Sequence, residues 1–365
     1  MILLLYELLY NINDDVRMVR SLINPENMKK NRSGITRRRF IQSTAGAVAA
    51  VSASGFVTSF GNITEMKGNK SGIMHRKLGK TGLDVSILSF GGGSQFLRNP
   101  DGTWEKLLET ALEGGINLFD TAPGYIASKM GQIWDGKSVD SSEERYGKIL
   151  PAYRKQIILS TKLDTRKPEE AKAEFETSLR KLKTDYVDIL FIHGIEISDN
   201  IADIENGVYR SLVSFKEAGA VRYIGFSSMG DAEHASKLLD KLDFDVVLVA
   251  MNATQYGNFA KFVLPIARKK NTGVMSMKLM RDIVGKEASP SELFNYTLSQ
   301  EGVVTGLIGH TGMDTLSENI RLAQEFTAAT FDLYKRKELE ARLLHLAGPH
   351  ALCWAQPGYR DGGVA

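Results

Sequence analysis

The chain has 365 residues, 43% hydrophobic and 24% charged, the balance of a water-soluble globular protein. Its net charge of +3 is too small to make nucleic acid a partner, and part of that excess lies before residue 40. One cysteine, Cys353, excludes an internal disulfide and any all-cysteine metal or iron–sulfur site, and no run of about 20 apolar residues offers a stable membrane span.

In chain order, residues 1–27 precede a second methionine and read as an upstream mis-start or a disordered segment. From residue 28 to about 60, the basic run Lys29, Lys30, Arg32 leads into Thr36-Arg37-Arg38-Arg39-Phe40-Ile41. A mildly apolar stretch with small residues follows. A charged region, an apolar region and a small-residue exit, in that order, make a secretory signal. The Arg37-Arg38 pair resembles a bacterial twin-arginine signal. That resemblance implies that the export machinery carries the folded protein to the periplasm; without a working leader the protein stays in the cytoplasm. Residues 61–73 are a linker.

From residue 74 short β-branched or apolar runs alternate with longer amphipathic stretches. The predicted strands are 85–90, 117–120, 157–161, 187–193, 223–227, 246–251, 273–278 and 303–309. Between them lie helical patterns such as 169–181, opened by Pro168, where Ala171, Phe175, Leu179 and Leu182 recur at helical spacing. Eight such units over roughly 250 residues predict an α/β fold of the closed (β/α)8 TIM-barrel type over 74–326, with a C-terminal helix and tail over 327–365. An open doubly wound sheet would want a third fingerprint glycine at position 96 after Gly91-Gly92-Gly93, and Phe96 stands there.

In a barrel of this kind catalytic groups sit at the C-terminal ends of strands. The second strand ends Phe119-Asp120-Thr121-Ala122-Pro123-Gly124-Tyr125, the third Ser160-Thr161-Lys162 and the fourth Phe191-Ile192-His193. Asp120, Tyr125, Lys162 and His193 therefore share one rim. Carbonyl reduction builds negative charge on oxygen and needs a proton donor there. Tyr125 can donate, and a Lys162 ammonium held by Asp120 would favour its phenolate. A neutral His193 would hydrogen-bond the substrate oxygen.

These residues are similar to those of the aldo-keto reductase family over nearly all of 74–326. Residues 74–83 look like the family's N-terminal β-hairpin at the barrel floor, and Phe119-Asp120-Thr121-Ala122 with Tyr125 matches its most specific motif. Ser142-Glu143 with Gly147 and Gly225-Phe226-Ser227 resemble two further segments. The resemblance implies hydride transfer between NADP (or NAD) and a small-molecule aldehyde, ketone or alcohol, with no metal. It places the nicotinamide near Ser227, Ser228, Met277 and Lys278. The adenosine falls near Gly309, His310, Thr311, Thr315, Glu318 and Asn319. Thr311 stands where many relatives carry a cation for the 2′-phosphate, and His310 or Arg321 would have to compensate. Ser228 departs from a common Asn, Leu248 from a Gln and Met277 from a Tyr. The insertion 126–140 and the tail should overhang the substrate pocket, with Trp104, Trp134 and Trp354 as candidate walls. A non-catalytic barrel that binds cofactor as a regulator is the competing expectation, and turnover of aldehydes separates the two. A metal-dependent hydrolase lacks ligands, and the sequence carries no signal for a particular oligomeric state.

Overall fold

The computed structural model describes residues 72–126, 140–327 and 331–359. The leader, most of the 126–140 insertion with Trp134, and the last six residues lie outside the described residues. Two short strands come first, β1 (His75–Lys77) and β2 (Asp84–Ser86), paired antiparallel with Arg76 opposite Val85. A 3-10 turn at Gly79–Thr81 joins them, and Gly82 ends it at φ 67°, a left-handed conformation that suits glycine. Gly79 has no room for a side chain, since a Cβ there would lie 2.4 Å from the Gly273 nitrogen. The hairpin thus presses on the barrel, and Leu78, Leu83 and Val85 plug its floor against Leu118, Ile158 and Leu248.

Eight parallel strands close the barrel: β3 (Leu88–Gly91), β4 (Leu118–Asp120), β5 (Ile158–Leu163), β6 (Val187–Ile192), β7 (Val221–Ser228), β8 (Val246–Ala250), β9 (Gly273–Met277) and β10 (Val303–Ile308). β10 pairs with β3 to complete the ring. The helices that follow these strands in turn are α1 (Trp104–Glu113), α2 (Ser142–Ile149), α3 (Pro168–Leu182), α4 (Val208–Glu217), α5 (Ala232–Lys241), α6 (Phe259–Lys270), α7 (Pro290–Leu298) and α8 (Met313–Glu325), with α9 (Leu333–Leu343) in the tail.

Local chemistry sets these boundaries. Ser141 and Glu144 form a reciprocal cap that opens α2, and Ser289 and Glu292 do the same for α7. Pro168 starts α3, whose missing amide hydrogen costs nothing at that position. The predicted first strand, 85–90, is two elements. Ser86 donates to the Leu88 carbonyl at 2.7 Å, and the Ile87 amide turns back to Met74, so the chain bends between hairpin and barrel. The bend lies inside a short run, Val85 to Phe90, with no glycine, proline or charged residue to mark it, which hid it from a periodicity argument.

Alternation then decides which side chains face the barrel interior. On β5, Ile158 joins the inner cluster while Leu159 and Leu163 join the outer layer against the helices. On β6, Ile189 and Phe191 point in and Leu190 and Ile192 point out. Lys162 shares the parity of Ile158, His193 that of Phe191, and Asp120 that of Leu118.

Candidate active site

Those three inward positions meet above the inner cluster. Lys162 Nζ donates to Asp120 Oδ2 at 2.6 Å and to the Thr121 carbonyl at 2.7 Å, and Ser160 donates to the other Asp120 oxygen at 2.7 Å. Both charged side chains are only 1% exposed. A pair this dry persists because the two charges meet directly and each also has a further hydrogen-bond partner; either charge alone would be costly. From the β4 loop Tyr125 lies over the pair, its ring centroid 4.9 Å from Lys162 Nζ. The loop is held by the Tyr125 amide on Ala122 and by the Ser142 amide on the Tyr125 carbonyl. His193 stands edge-to-face to Tyr125, centroids 5.7 Å apart, and its Nδ1 meets Asp164 Oδ1 at 2.5 Å. Asp120, Tyr125, Lys162 and His193 are thus brought together.

A cleft, open at its mouth, runs from Asp120 and Tyr125 past Gly93 to Met277, Lys278 and Gly309. Met277 lies on its inner wall, and Lys278 takes φ 61° to turn into it. Ser227 and Ser228 are buried and already occupied. The Ser227 hydroxyl accepts from the Gly194 amide at 2.8 Å, and Ser228 donates to the Ile195 carbonyl at 2.9 Å, so both pin the loop after β6.

At the far end Thr311 and Glu318 are exposed and Thr315 is half-buried, bonded to the Gly312 carbonyl. Of the residues placed near the adenosine, His310 and Asn319 are buried. His310 is fully buried against Phe90, with Asn319 3.4 Å from its Nδ1. Burial lowers the His310 pKa to about 3, so the ring is neutral and braces the rim from beneath. Arg321 pairs with Glu325 along α8.

Several rim groups escaped the sequence reading. Gln95 packs on Gly309, and Arg281 bridges the cleft mouth to Ser94 at 3.2 Å and to the Tyr359 hydroxyl at 2.8 Å. The tail therefore returns to the rim, with Trp354 buried against Tyr256 and the Cys353 amide on Asp282. Trp104, by contrast, is core, edge-to-face with Phe96 and beneath the Arg145 guanidinium. Asp164 was missed because one carboxylate after a strand has no periodic signal. Glu143, in the Ser-Glu segment, is fully buried outside β5 and accepts from Thr161 at 2.7 Å; desolvation raises its pKa.

Fold and rim together define a (β/α)8 barrel whose polar side chains gather at the C-terminal ends of its strands. Residues 88–282 match the profile of the aldo/keto reductase family. The chain belongs to that family and is an oxidoreductase. It is 25% identical to an L-galactose dehydrogenase of Arabidopsis thaliana over 309 residues, 73% of this chain and 93% of the relative. It is 26% identical to an uncharacterized oxidoreductase of Bacillus subtilis, covering 68% of this chain and 90% of that one. Among solved structures, a putative aldo-keto reductase from Pseudomonas aeruginosa superposes with TM-score 0.56 at 26% identity, over 69% of this chain and 94% of the other. An aldo-keto reductase from Bacillus halodurans, solved in holo form, shares the fold with TM-score 0.59 at 20% identity, over 74% and 96% of the two chains.

Proposed function

We propose that this protein transfers hydride between a nicotinamide dinucleotide, NADP or NAD, and a small-molecule aldehyde, ketone or alcohol, with Tyr125 giving and taking the proton. The observation that carries this reading is the dry Lys162–Asp120 pair directly beneath the Tyr125 ring. A buried ammonium facing a phenol has little structural use, since apolar residues of similar volume would pack as well. It does stabilise negative charge on the phenol oxygen as the proton leaves.

The cleft fits the cofactor. Gly91, Gly93 and Gly309 leave its walls bare of side chains, the Met277 thioether is suited to a flat ring face, and Lys278 and Arg281 would meet phosphate oxygens. When bound, the nicotinamide supplies or accepts the hydride. The residues of this chain then act on the substrate. His193 orients it, Tyr125 protonates the oxygen as charge builds there, and Asp120 keeps Lys162 in place. The dehydrogenase among the relatives supports the reverse, alcohol-oxidising direction.

Tyr125→Phe tests the reading, because it keeps the ring and removes only the acidic proton. Cofactor binding, followed by calorimetry with NADPH and NADH, should survive. Single-turnover hydride transfer should fall by about 10²- to 10⁴-fold. Transfer at the wild-type rate would overturn the assignment.

A further inference from the structure

We infer that Ser142 and Tyr146, on one face of α2, are positioning residues for the proposed proton transfer: they hold the backbone that sets where Lys162 stands relative to the Tyr125 phenol. The inference rests on the hydride-transfer reading and deepens it. Ser142 and Tyr146 are four positions apart in the helix, so both side chains project from the same side of it. That side lies against the end of β4, and both residues are fully buried there.

Three hydrogen bonds join this face to the segment that carries the site. The Tyr146 hydroxyl donates to the Asp120 carbonyl at 3.1 Å, with the Phe90 carbonyl farther off at 3.5 Å. The Thr121 hydroxyl donates to that of Ser142 at 2.8 Å, and the Ser142 amide donates to the Tyr125 carbonyl at 2.9 Å. Lys162 Nζ bonds to Asp120 Oδ2 and to the Thr121 carbonyl, which belong to the same two residues that α2 grips. Ammonium and phenol are thus anchored on one helix, the first through residues 120 and 121 and the second through residue 125. Gly92 permits the close approach. A Cβ on it would run into the Ser142 and Tyr146 oxygens, and its amide donates to the Asp120 carbonyl at 2.8 Å.

Packing does not account for the Tyr146 hydroxyl. The ring sits among Phe96, Phe119 and Phe90, with centroids 5.6, 6.1 and 6.4 Å away, and phenylalanine would fill the same space. Burying a hydroxyl in such a cluster is costly unless it is bonded. What the oxygen adds is the bond to Asp120. Burial, reinforced by the Asp120 charge, also raises the Tyr146 pKa well above that of an ordinary phenol. Tyr146 therefore stays a donor and does not compete with Tyr125 as the acid. In a site this dry the attraction between ammonium and phenolate is strong and falls with distance, so a small displacement of Lys162 weakens it.

Tyr146→Phe and Ser142→Ala each remove one anchor, and circular dichroism shows that each variant is folded before it is used. The first readout is the ionisation of Tyr125 in the full chain, followed by NMR of tyrosine labelled with ¹³C at Cζ, with the Tyr125→Phe spectrum identifying the resonance. The midpoint should rise by about one pH unit in either variant, the worth of one hydrogen bond, because the ammonium that favours the phenolate is less well placed. The charged and titratable groups around this phenol are Asp120 from β4, Lys162 from β5, and His193 and Asp164 from the loops after β6 and β5, and neither substitution alters them. The second readout is single-turnover hydride transfer, which should fall by about tenfold while calorimetric binding of NADPH and NADH is unchanged. Lys148→Ala, on the exposed side of α2, should move neither readout. A wild-type midpoint and rate in both Tyr146→Phe and Ser142→Ala, whatever stability they lose, would overturn the inference, as would equal effects in Lys148→Ala. The titration needs no turnover, so a wrong Tyr125 assignment, seen as wild-type transfer in Tyr125→Phe, is recognised separately.

Discussion

Two buried groups make opposite demands on stability. Lys162 and Asp120 are charged and matched, so removing one partner strands the other. Lys162→Met and Asp120→Asn should each cost about 3–5 kcal/mol in denaturant unfolding. The double variant should recover much of that loss, because no lone charge remains, while staying inactive. Recovery of stability without recovery of turnover would separate the catalytic use of the pair from its packing. His310 is buried and neutral, with its pKa lowered to about 3 by desolvation. Below pH 6.5 the unfolded chain takes up a proton that the folded chain refuses until about pH 3. The contribution is therefore complete above pH 6.5 and is lost as pH falls toward 3, at about 1.4 kcal/mol per pH unit. His310→Gln should show a shallower fall than the wild type over that window, read from unfolding midpoints at a series of pH values. Equal slopes would mean that His310 is not buried neutral.

At the level of elements, strand alternation explains how much of the site was legible. Asp120, Lys162 and His193 were found because they end strands whose inner and outer residues alternate, and parity sends all three inward. His310 and Asn319 lie just past a strand end and inside a helix, where no parity rule reaches, and packing against Phe90 sets the direction of the His310 ring. Asp164 and Arg281 are loop residues whose roles depend on partners distant in sequence. Gly147 was noticed only as part of a motif, and the structure supplies its reason. α2 crosses the end of α3 so closely that a Cβ on Gly147 would lie 1.9 Å from the Lys181 carbonyl oxygen. Backbone cannot yield there as a flexible side chain would. Gly147→Ala should destabilise by about 1–3 kcal/mol or more, although alanine is the better helix former. A neutral or stabilising effect in thermal unfolding would mean that the two helices are not held at that distance.

For the molecule as a whole, the barrel was readable from the count and spacing of the strands, and its floor hairpin from the resemblance of residues 74–83 to the family's opening segment. The break at Ile87 was not, because no glycine, proline or charged residue separates the hairpin strand from the barrel strand between Val85 and Phe90. The leader lies outside the described residues, and we propose that residues 28–60 direct export of the folded protein. Replacing Arg37 and Arg38 with lysine should then retain the protein in the cytoplasm of a bacterial host, as fractionation and immunoblotting would show. Continued export, or none with the unaltered leader, would count against the signal. Such a route demands a finished fold, and the closing seam of the barrel sets when that fold can exist. Ser89 on β3 bonds to Thr305 on β10 across 216 positions of sequence. At roughly 5–20 residues per second, β3 waits on the order of 10–40 s on the ribosome before its partner has been synthesised. Throughout that interval one edge of the nascent sheet, with Leu88 and Phe90 beside it, has nothing to pair with. The first barrel strand made is the last to be satisfied, and any holding factor that attends synthesis of this protein must stay until β10 emerges.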